Sequence, residues 1–129
     1  MKELPVIMVV EDDQNIQALI ADVLSDGGFE ASITASGEEA ITLLSGNTKY
    51  RAIVTDIDLI GRLDGWEVAH HAREMNPDVA IVYVSGAHAA DWTSKGVPGS
   101  IMLEKPFAPA QLVTAVSQLL NASPPTAPR

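Results

Sequence analysis

Residues 6–12 of the chain read Val-Ile-Met-Val-Val-Glu-Asp, five consecutive apolar residues followed by two carboxylic acids. An unbroken apolar run of this length is typical of a strand that is buried on both faces, as in a parallel sheet covered by helices. Side chains directly after such a strand lie at the carboxyl edge of the sheet, where open α/β proteins bind their ligands. The stretch therefore predicts a parallel sheet and a polar site at one of its edges.

Four more apolar runs follow, separated by stretches whose apolar residues recur at helical spacing. The predicted strands are 6–10, 29–34, 52–55, 79–84 and 100–103. The predicted helices are 16–26, 36–44, 66–75, 87–95 and 109–120. Ser36 and Glu39 form the pattern of a capping box at the start of the second helix. The fourth helix has few residues to bury besides Trp92 and is predicted to be weak.

Strands that alternate with helices form right-handed βαβ units and a parallel sheet. Five strands suit the order 2-1-3-4-5, which gives an α/β, flavodoxin-like three-layer (βα)5 fold with helices on both faces. The ligand-binding crevice of that fold lies where the strand order reverses, between strands 1 and 3. We expect one domain over residues 1–121, followed by a disordered, proline-rich tail over residues 122–129.

The composition excludes several classes of protein. The chain has 129 residues, of which 47% are hydrophobic, as in a single globular domain. Its net charge is −9, from 17 acidic and 8 basic residues, which argues against a nucleic-acid-binding surface. The absence of cysteine excludes disulfides and thiolate chemistry. Because the apolar runs are too short to span a membrane, we expect a cytoplasmic protein without a membrane partner.

Four of the predicted strands end in polar side chains, which are Glu11, Asp12, Asp56, Ser85 and Lys105. Two carboxylates about 4 Å apart repel by roughly 4 kcal/mol at an effective dielectric constant near 20, so three in one crevice favour a bound cation. Oxygen ligands with open water positions suit Mg²⁺. Asp56 has the chemistry of a nucleophile that forms an aspartyl phosphate. Lys105 and Ser85 would then bind the phosphoryl oxygens.

Each of these residues also has a purely structural interpretation. The acidic run at 11–13 suits the N-terminus of the first helix. Taken singly, Ser85 is typical of a turn and Lys105 of the protein surface. Asp56 favours the functional interpretation, because no helix follows it directly for it to cap.

Residues 4–121 resemble the receiver domain of two-component response regulators, of the stand-alone, single-domain type. The matching motifs are V-V-E-D-D at 9–13, V-T-D at 54–56, D-G-W-E at 64–67, V-S-G at 84–86 and E-K-P-F at 104–107. The resemblance implies a cytoplasmic signalling switch of a two-component system or phosphorelay. It further implies that the protein is not an enzyme beyond its own phosphorylation and slow autodephosphorylation.

The resemblance also assigns roles to the acidic residues. Carried over by position, it makes Asp56 the phosphoacceptor, with Glu11 and Asp12 as the acidic pair that binds Mg²⁺ together with Asp56. Asp12 would be the more direct ligand of the pair. Asp58 would contribute its backbone carbonyl to the metal.

Ser85 and Lys105 take the positions of the family's hydroxyl residue and lysine, and the Lys105–Pro106 bond is expected to be cis. Two features depart from the family pattern. The loop at 59–65 is longer than usual and lacks its proline, so the geometry next to the metal is open. Met102 stands where the family usually has an aromatic switch residue, so a ring flip is not implied here.

The resemblance implies two kinds of protein partner. A histidine kinase or a histidine phosphotransfer protein would donate the phosphoryl group. An unknown downstream protein would then bind the face formed by the fourth helix, the fifth strand and the fifth helix.

Two other interpretations of the sequence stay open. The segment T-D-I-D-L at 55–59 contains the D-x-D pattern of haloacid-dehalogenase-like phosphohydrolases, in which Asp58 would act as the acid and base. A receiver-like binding module that is never phosphorylated would share the same fold.

Overall fold

A five-stranded parallel sheet organises the structure, a computed structural model in which residues 3–122 are described. The strands are β1 Val6–Val10, β2 Glu30–Thr34, β3 Ala52–Asp56, β4 Ala80–Ser85 and β5 Ile101–Glu104. The α-helices are α1 Gln14–Asp26, α2 Gly37–Leu44, α3 Gly65–Met75, α4 Trp92–Lys95 and α5 Pro109–Asn121. The strand order β2-β1-β3-β4-β5 confirms the predicted fold.

The register of the sheet brings the carboxyl ends of its central strands to one level. Val10 of β1 lies opposite Thr55 of β3, and Asp56 of β3 lies opposite Val84 of β4. The residues that follow β1 therefore lie beside the end of β3. This is the switch point of the strand order, where ligands bind in folds of this kind.

Alternate residues of β1 enter two separate apolar cores. Ile7 and Val9 pack in the core shared with α1 and α5, whereas Met8 and Val10 pack in the core shared with α2 and α3. All four side chains are fully buried. The unbroken apolar run in the sequence therefore follows from the burial of this strand on both faces.

The segment after β4 corrects one prediction. In place of a weak helix over 87–95, the chain forms a 3₁₀ turn at Ala89–Asp91 and a single α-helical turn, α4. The indole of Trp92 packs so closely on Gly96 that a Cβ there would overlap it, and α4 ends at the residue before this glycine. The predicted partner face of α4, β5 and α5 thus contains only one turn of its first helix.

The capping box predicted at α2 is only half correct. Ser36 Oγ accepts the N–H of Glu39 at 3.1 Å, but the Glu39 carboxylate accepts from Ala35 rather than from Ser36. A complete reciprocal box joins Asp64 and Glu67 at the start of α3, where none was predicted.

The predicted domain boundary near residue 121 stays a prediction. Residues 123–129 of the predicted tail lie outside the described residues. Within residues 3–122, no helix is both long enough and apolar enough to cross a membrane.

Candidate functional site

Three predicted metal ligands come together at the carboxyl edge of the sheet. One carboxylate oxygen from each of Glu11, Asp12 and Asp56 lies within 4.8 Å of the others. Two of these residues follow β1, and the third is the last residue of β3. The crossover between the parallel strands therefore makes neighbours of side chains that are far apart in the sequence.

Glu11 is the most deeply buried of the three carboxylates, with 1% of its surface exposed. Its Oε2 accepts the N–H of Asp13 at 3.1 Å, and its Oε1 lies 3.5 Å from Lys105 Nζ. Oε1 is thus within ion-pair distance of Lys105, but no group among residues 3–122 makes a hydrogen bond to it. Burial raises the pKa of Glu11 above its ordinary value, and the Asp56 charge adds to this, while the Asp13 N–H and Lys105 act in the opposite direction.

The acidic run at 11–13 has different roles at neighbouring residues. Asp13 is the N-cap of α1, since its carboxylate accepts the N–H groups of Asn15 at 2.8 Å and Ile16 at 3.3 Å. The Asp12 carboxylate instead accepts the N–H of Ile60, at 3.1 Å, from the β3–α3 loop. Helix capping therefore accounts for Asp13 but not for Asp12.

Asp56 is held at the floor of the site, with 12% of its side chain exposed. Its Oδ1 accepts the N–H of Ile57 at 2.8 Å, and its Oδ2 lies 3.2 Å from Lys105 Nζ. Burial alone would lower the pKa of Lys105, but the Asp56 and Glu11 carboxylates outweigh it and hold that pKa above its ordinary value. Lys105 therefore stays protonated, and its positive charge lies beside the Asp56 and Glu11 carboxylates.

Lys105 and Ser85 are tied together through the backbone. The Lys105–Pro106 bond is cis, as the family resemblance implies, and the Lys105 N–H donates to the Ser85 carbonyl at 2.9 Å. The buried Ser85 Oγ accepts the N–H groups of Ala87 at 3.2 Å and His88 at 2.8 Å. Because a hydroxyl has two acceptor positions and one proton, the Ser85 proton remains available to donate.

A contact between Asp58 and His88 crosses the mouth of the site. Asp58 Oδ1 lies 3.0 Å from His88 Nε2, and His88 Nδ1 lies 3.7 Å from Asp91. This contact links the loops that follow β3 and β4. No short motif places residue 88 beside residue 58, so the sequence did not identify His88 as a site residue. The role of the Asp58 backbone carbonyl stays a prediction.

Gly65 is a further residue of the site that the sequence analysis did not identify. A Cβ at this position would overlap the carbonyl oxygen of Asp56, and the Gly65 N–H donates to the Ile57 carbonyl at 2.9 Å. Helix α3 therefore begins directly against the backbone of Asp56. The Asp-Gly pair at 64–65 is a turn signal that could have pointed to this close approach.

The side chains present suit a hard divalent cation. They supply three carboxylates, one of which has a buried oxygen without a donor among residues 3–122. A single ammonium does not balance three ionised carboxylates. Oxygen-only ligands of this kind favour Mg²⁺ over the metals that prefer imidazole or thiolate.

Comparison with known proteins identifies the family. A model of the response regulator receiver domain matches residues 7–117. The chain belongs to this family. Receiver domains are signalling domains rather than typical enzymes, and this one carries the carboxylates, hydroxyl and lysine that the family resemblance assigned.

Individual relatives agree with the family assignment. A receiver protein from Sinorhizobium medicae WSM419 is 46% identical, has a TM-score of 0.91, and the match covers 93% of this chain and 97% of that one. The transcriptional regulatory protein PrrA of Mycobacterium tuberculosis is 34% identical over 125 residues, which is 95% of this chain and 53% of PrrA. The receiver domain thus spans about half the length of the curated relatives it matches.

A more distant structure shows the fold alone. The receiver domain of the sensor histidine kinase PA1611 from Pseudomonas aeruginosa PAO1 is 22% identical, with a TM-score of 0.80 over 93% of this chain and 100% of that one. That structure has a magnesium ion coordinated in its active site cleft.

Proposed function

We propose that this receiver domain is a phosphorylation switch that accepts a phosphoryl group on Asp56 in a Mg²⁺-dependent reaction. One observation carries the proposal. The buried Asp56 carboxylate shares the site with the Glu11–Asp12 pair and lies 3.2 Å from the Lys105 ammonium. Phosphoryl transfer needs this combination of a positioned nucleophile and charge neutralisation more than it needs other covalent chemistry.

The phosphoryl donor in this proposal is a phosphohistidine. A carboxylate oxygen of Asp56 attacks the phosphorus, a P–O bond forms and the P–N bond breaks. The electron pair of the broken bond leaves with the imidazole, which takes up a proton from solvent. Lys105 Nζ and the Ser85 hydroxyl proton would stabilise the negative charge on the transferred group.

The metal in this proposal is held by Glu11, Asp12 and Asp56, together with the backbone carbonyl of Asp58. Bound Mg²⁺ would neutralise the charge of the phosphoryl oxygens. The buried Glu11 Oε1 and its two neighbouring carboxylates support a cation here. The oxygen-only donor set supports Mg²⁺ as the metal.

We further propose how phosphorylation reaches a partner. Ser85 Oγ accepts the N–H groups of Ala87 and His88, which lead directly to the 3₁₀ turn and α4. A phosphoryl group that attracts the Ser85 hydroxyl would disturb these bonds. If the protein has an inactive and an active conformation, shifting their ratio from 1:99 to 99:1 requires the phosphoryl group to interact about 5.5 kcal/mol more favourably with the active one. The output would be read on the α4–β5–α5 face.

Met102 has no aromatic ring, so the output of this domain cannot depend on a ring flip at this position. Met102 is partly buried against the α2–α3 core and lies opposite Tyr83 of β4. The Tyr83 ring is fully buried, and its hydroxyl accepts the N–H of Val97 at 3.1 Å. We therefore assign the switching movement to the loop after Ser85 rather than to a side chain of β5.

The phosphoryl donor and the cellular setting are proposals of the same kind. We propose that this protein is cytoplasmic, that a histidine kinase or histidine phosphotransfer protein is the donor, and that an unidentified downstream protein receives the signal. The match covers about half the length of the longer curated relatives. Any activity of those relatives is therefore only a proposal for this chain.

Labelling with a small phosphodonor tests the proposed nucleophile. Purified protein incubated with Mg²⁺ and acetyl phosphate should gain a single phosphoryl group, measured by intact-protein mass spectrometry. Asp56→Asn should gain none, and a chelator should abolish labelling of the native sequence. Equal labelling of Asp56→Asn and the native sequence would show that another residue is the nucleophile.

The same preparation separates the proposal from the two rival interpretations. Steady turnover of a phosphomonoester that is lost in Asp58→Asn would favour a phosphohydrolase. Calorimetry that detects no Mg²⁺ binding at millimolar concentration would favour a binding module that is never phosphorylated.

A further inference from the structure

The long loop between β3 and α3 is held by two side chains, one of which is a proposed metal ligand and the other of which lies outside the metal-ligand set. At one end, the Ile60 N–H donates to Asp12 Oδ2 at 3.1 Å. Next to it, the Arg62 N–H donates to Glu38 Oε2 of α2 at 2.8 Å. A single residue therefore separates the N–H that orients a predicted metal ligand from the N–H held by Glu38.

The conformation of the loop depends on Gly61, which lies between these two contacts. Its φ is +94°, a conformation that glycine adopts readily and other residues do not. The carboxylate oxygens of Glu38 lie where a Cβ of residue 61 would be, 2.7 and 2.8 Å from that position. Glu38 thus packs on the Gly61 backbone and binds the following N–H group.

The start of α2 and the loop are in close contact beside Glu38 as well. A Cβ on Gly37 would lie 2.8 Å from Leu63 Cβ. The Arg62 N–H, followed by the Glu38 backbone and the Leu63 N–H, lowers the pKa of Glu38 below its ordinary value. The contact is therefore made by an ionised carboxylate.

We propose that Glu38 is a positioning residue for the metal site, acting through loop residues 60–62 on the Asp12 carboxylate. The proposal rests on Mg²⁺ binding as described under the proposed function. Hydrogen-bond partners that orient metal ligands typically contribute 10- to 100-fold to metal affinity. Glu38 acts one step further away, so we expect the lower end of that range, about tenfold.

Glu39 provides a matched control on the same helix. Its carboxylate accepts the N–H of Ala35 and, within residues 3–122, makes no hydrogen bond to the loop at 59–65. Glu38→Ala and Glu39→Ala each remove one negative charge from neighbouring, exposed positions. Their effects on the long-range field at the metal site are therefore similar, and only Glu38→Ala releases the loop.

The test is Mg²⁺ affinity measured by isothermal calorimetry on the full chain, with thermal unfolding recorded for each variant. Glu38→Ala should bind Mg²⁺ about tenfold more weakly than the native sequence, whereas Glu39→Ala should stay within twofold of it. Amide hydrogen exchange at Ile60 should become faster in Glu38→Ala only. Gly61→Ala, which displaces the Glu38 carboxylate by a different route, should reproduce the loss of affinity.

The outcomes separate this inference from the proposed function. Native affinity in Glu38→Ala, or an equal loss in both glutamate variants, overturns the positioning role and leaves the Mg²⁺ site intact. A native sequence that binds no Mg²⁺ overturns the metal site itself and the positioning role with it.

Discussion

At the scale of single residues, the site depends on a buried carboxylate that has too few partners. Glu11 is almost completely buried, and one of its oxygens has no hydrogen-bond donor among residues 3–122. Asp12 and Asp56 lie close to it. Lys105 Nζ lies 3.5 Å from that oxygen, but a buried carboxylate oxygen that makes no hydrogen bond is costly. We infer that this arrangement of carboxylates lowers the free energy of unfolding of the metal-free protein and suits the binding of the proposed metal.

Replacing Glu11 by glutamine tests that inference. The amide keeps an oxygen that can accept the Asp13 N–H, but it removes the buried charge that repels Asp56. We expect Glu11→Gln to raise the free energy of unfolding in metal-free buffer, because the buried charge is removed, and to weaken Mg²⁺ binding. Thermal unfolding with and without Mg²⁺ measures both effects, and a lower melting temperature in metal-free buffer would contradict the expectation.

The raised pKa of Glu11 gives Mg²⁺ binding a pH dependence of known sign. A carboxyl whose folded pKa lies above its unfolded value favours the protonated form. In the metal-free protein, stability is therefore lost as the pH rises from the ordinary pKa of 4.5 towards the raised one. The proposed Mg²⁺ would bind the ionised form, so we expect its affinity to fall as the pH drops through the same interval.

Calorimetry near neutral pH and near the ordinary glutamate pKa checks this dependence. Glu11→Gln is the control, because it removes the titrating group and should reduce the pH dependence. An unchanged pH dependence in Glu11→Gln would assign the effect to other carboxylates.

At the scale of secondary structure elements, close backbone contacts place the site residues. Helix α3 begins at Gly65, which lies directly against the Asp56 carbonyl. The capping box between Asp64 and Glu67 fixes the same helix end. The backbone of the proposed phosphoacceptor is therefore held from both the strand and the helix.

Gly65→Ala tests this close approach. The added methyl group overlaps the Asp56 carbonyl oxygen, so the start of α3 must move. Forced insertion of this kind typically costs about 1–3 kcal/mol, and we expect phosphoryl uptake to slow as Asp56 shifts. Denaturant unfolding and labelling rates measure the two effects.

Gly86→Ala is the matched control, since a Cβ there lies 4.0 Å from Lys105 Cβ, an ordinary contact. Equal behaviour of the two alanine variants would mean that the contact at Gly65 does not position Asp56.

The sequence predicted elements better than it predicted contacts. The apolar runs of β1 and β3 are signals of burial on both faces, and the polar residues after them mark the site. Helix α4 was overestimated, because the packing of Trp92 on Gly96 is a tertiary contact that helical spacing does not encode. The bond from Ile60 to Asp12 depends on backbone conformation around Gly61, so no side-chain pattern could reveal it.

At the scale of the whole molecule, the fold concentrates opposite charges at one edge of an acidic chain. The net charge is −9, yet the three carboxylates meet a single ammonium at the end of the central strands. The family match over residues 7–117 includes every residue of this arrangement. Apolar cores bury the sheet on both faces, so we expect the loops after β3 and β4 to respond first to a change of charge.

In the proposed reaction, the phosphoryl group resides on Asp56. Mapping the modification by proteolysis and tandem mass spectrometry, after Mg²⁺-dependent labelling with acetyl phosphate, tests it most directly. We predict a single modified peptide with the phosphoryl group on Asp56 and no label when Mg²⁺ is chelated. A phosphoryl group on Asp12, Asp58 or His88, or labelling that persists without Mg²⁺, would contradict the account.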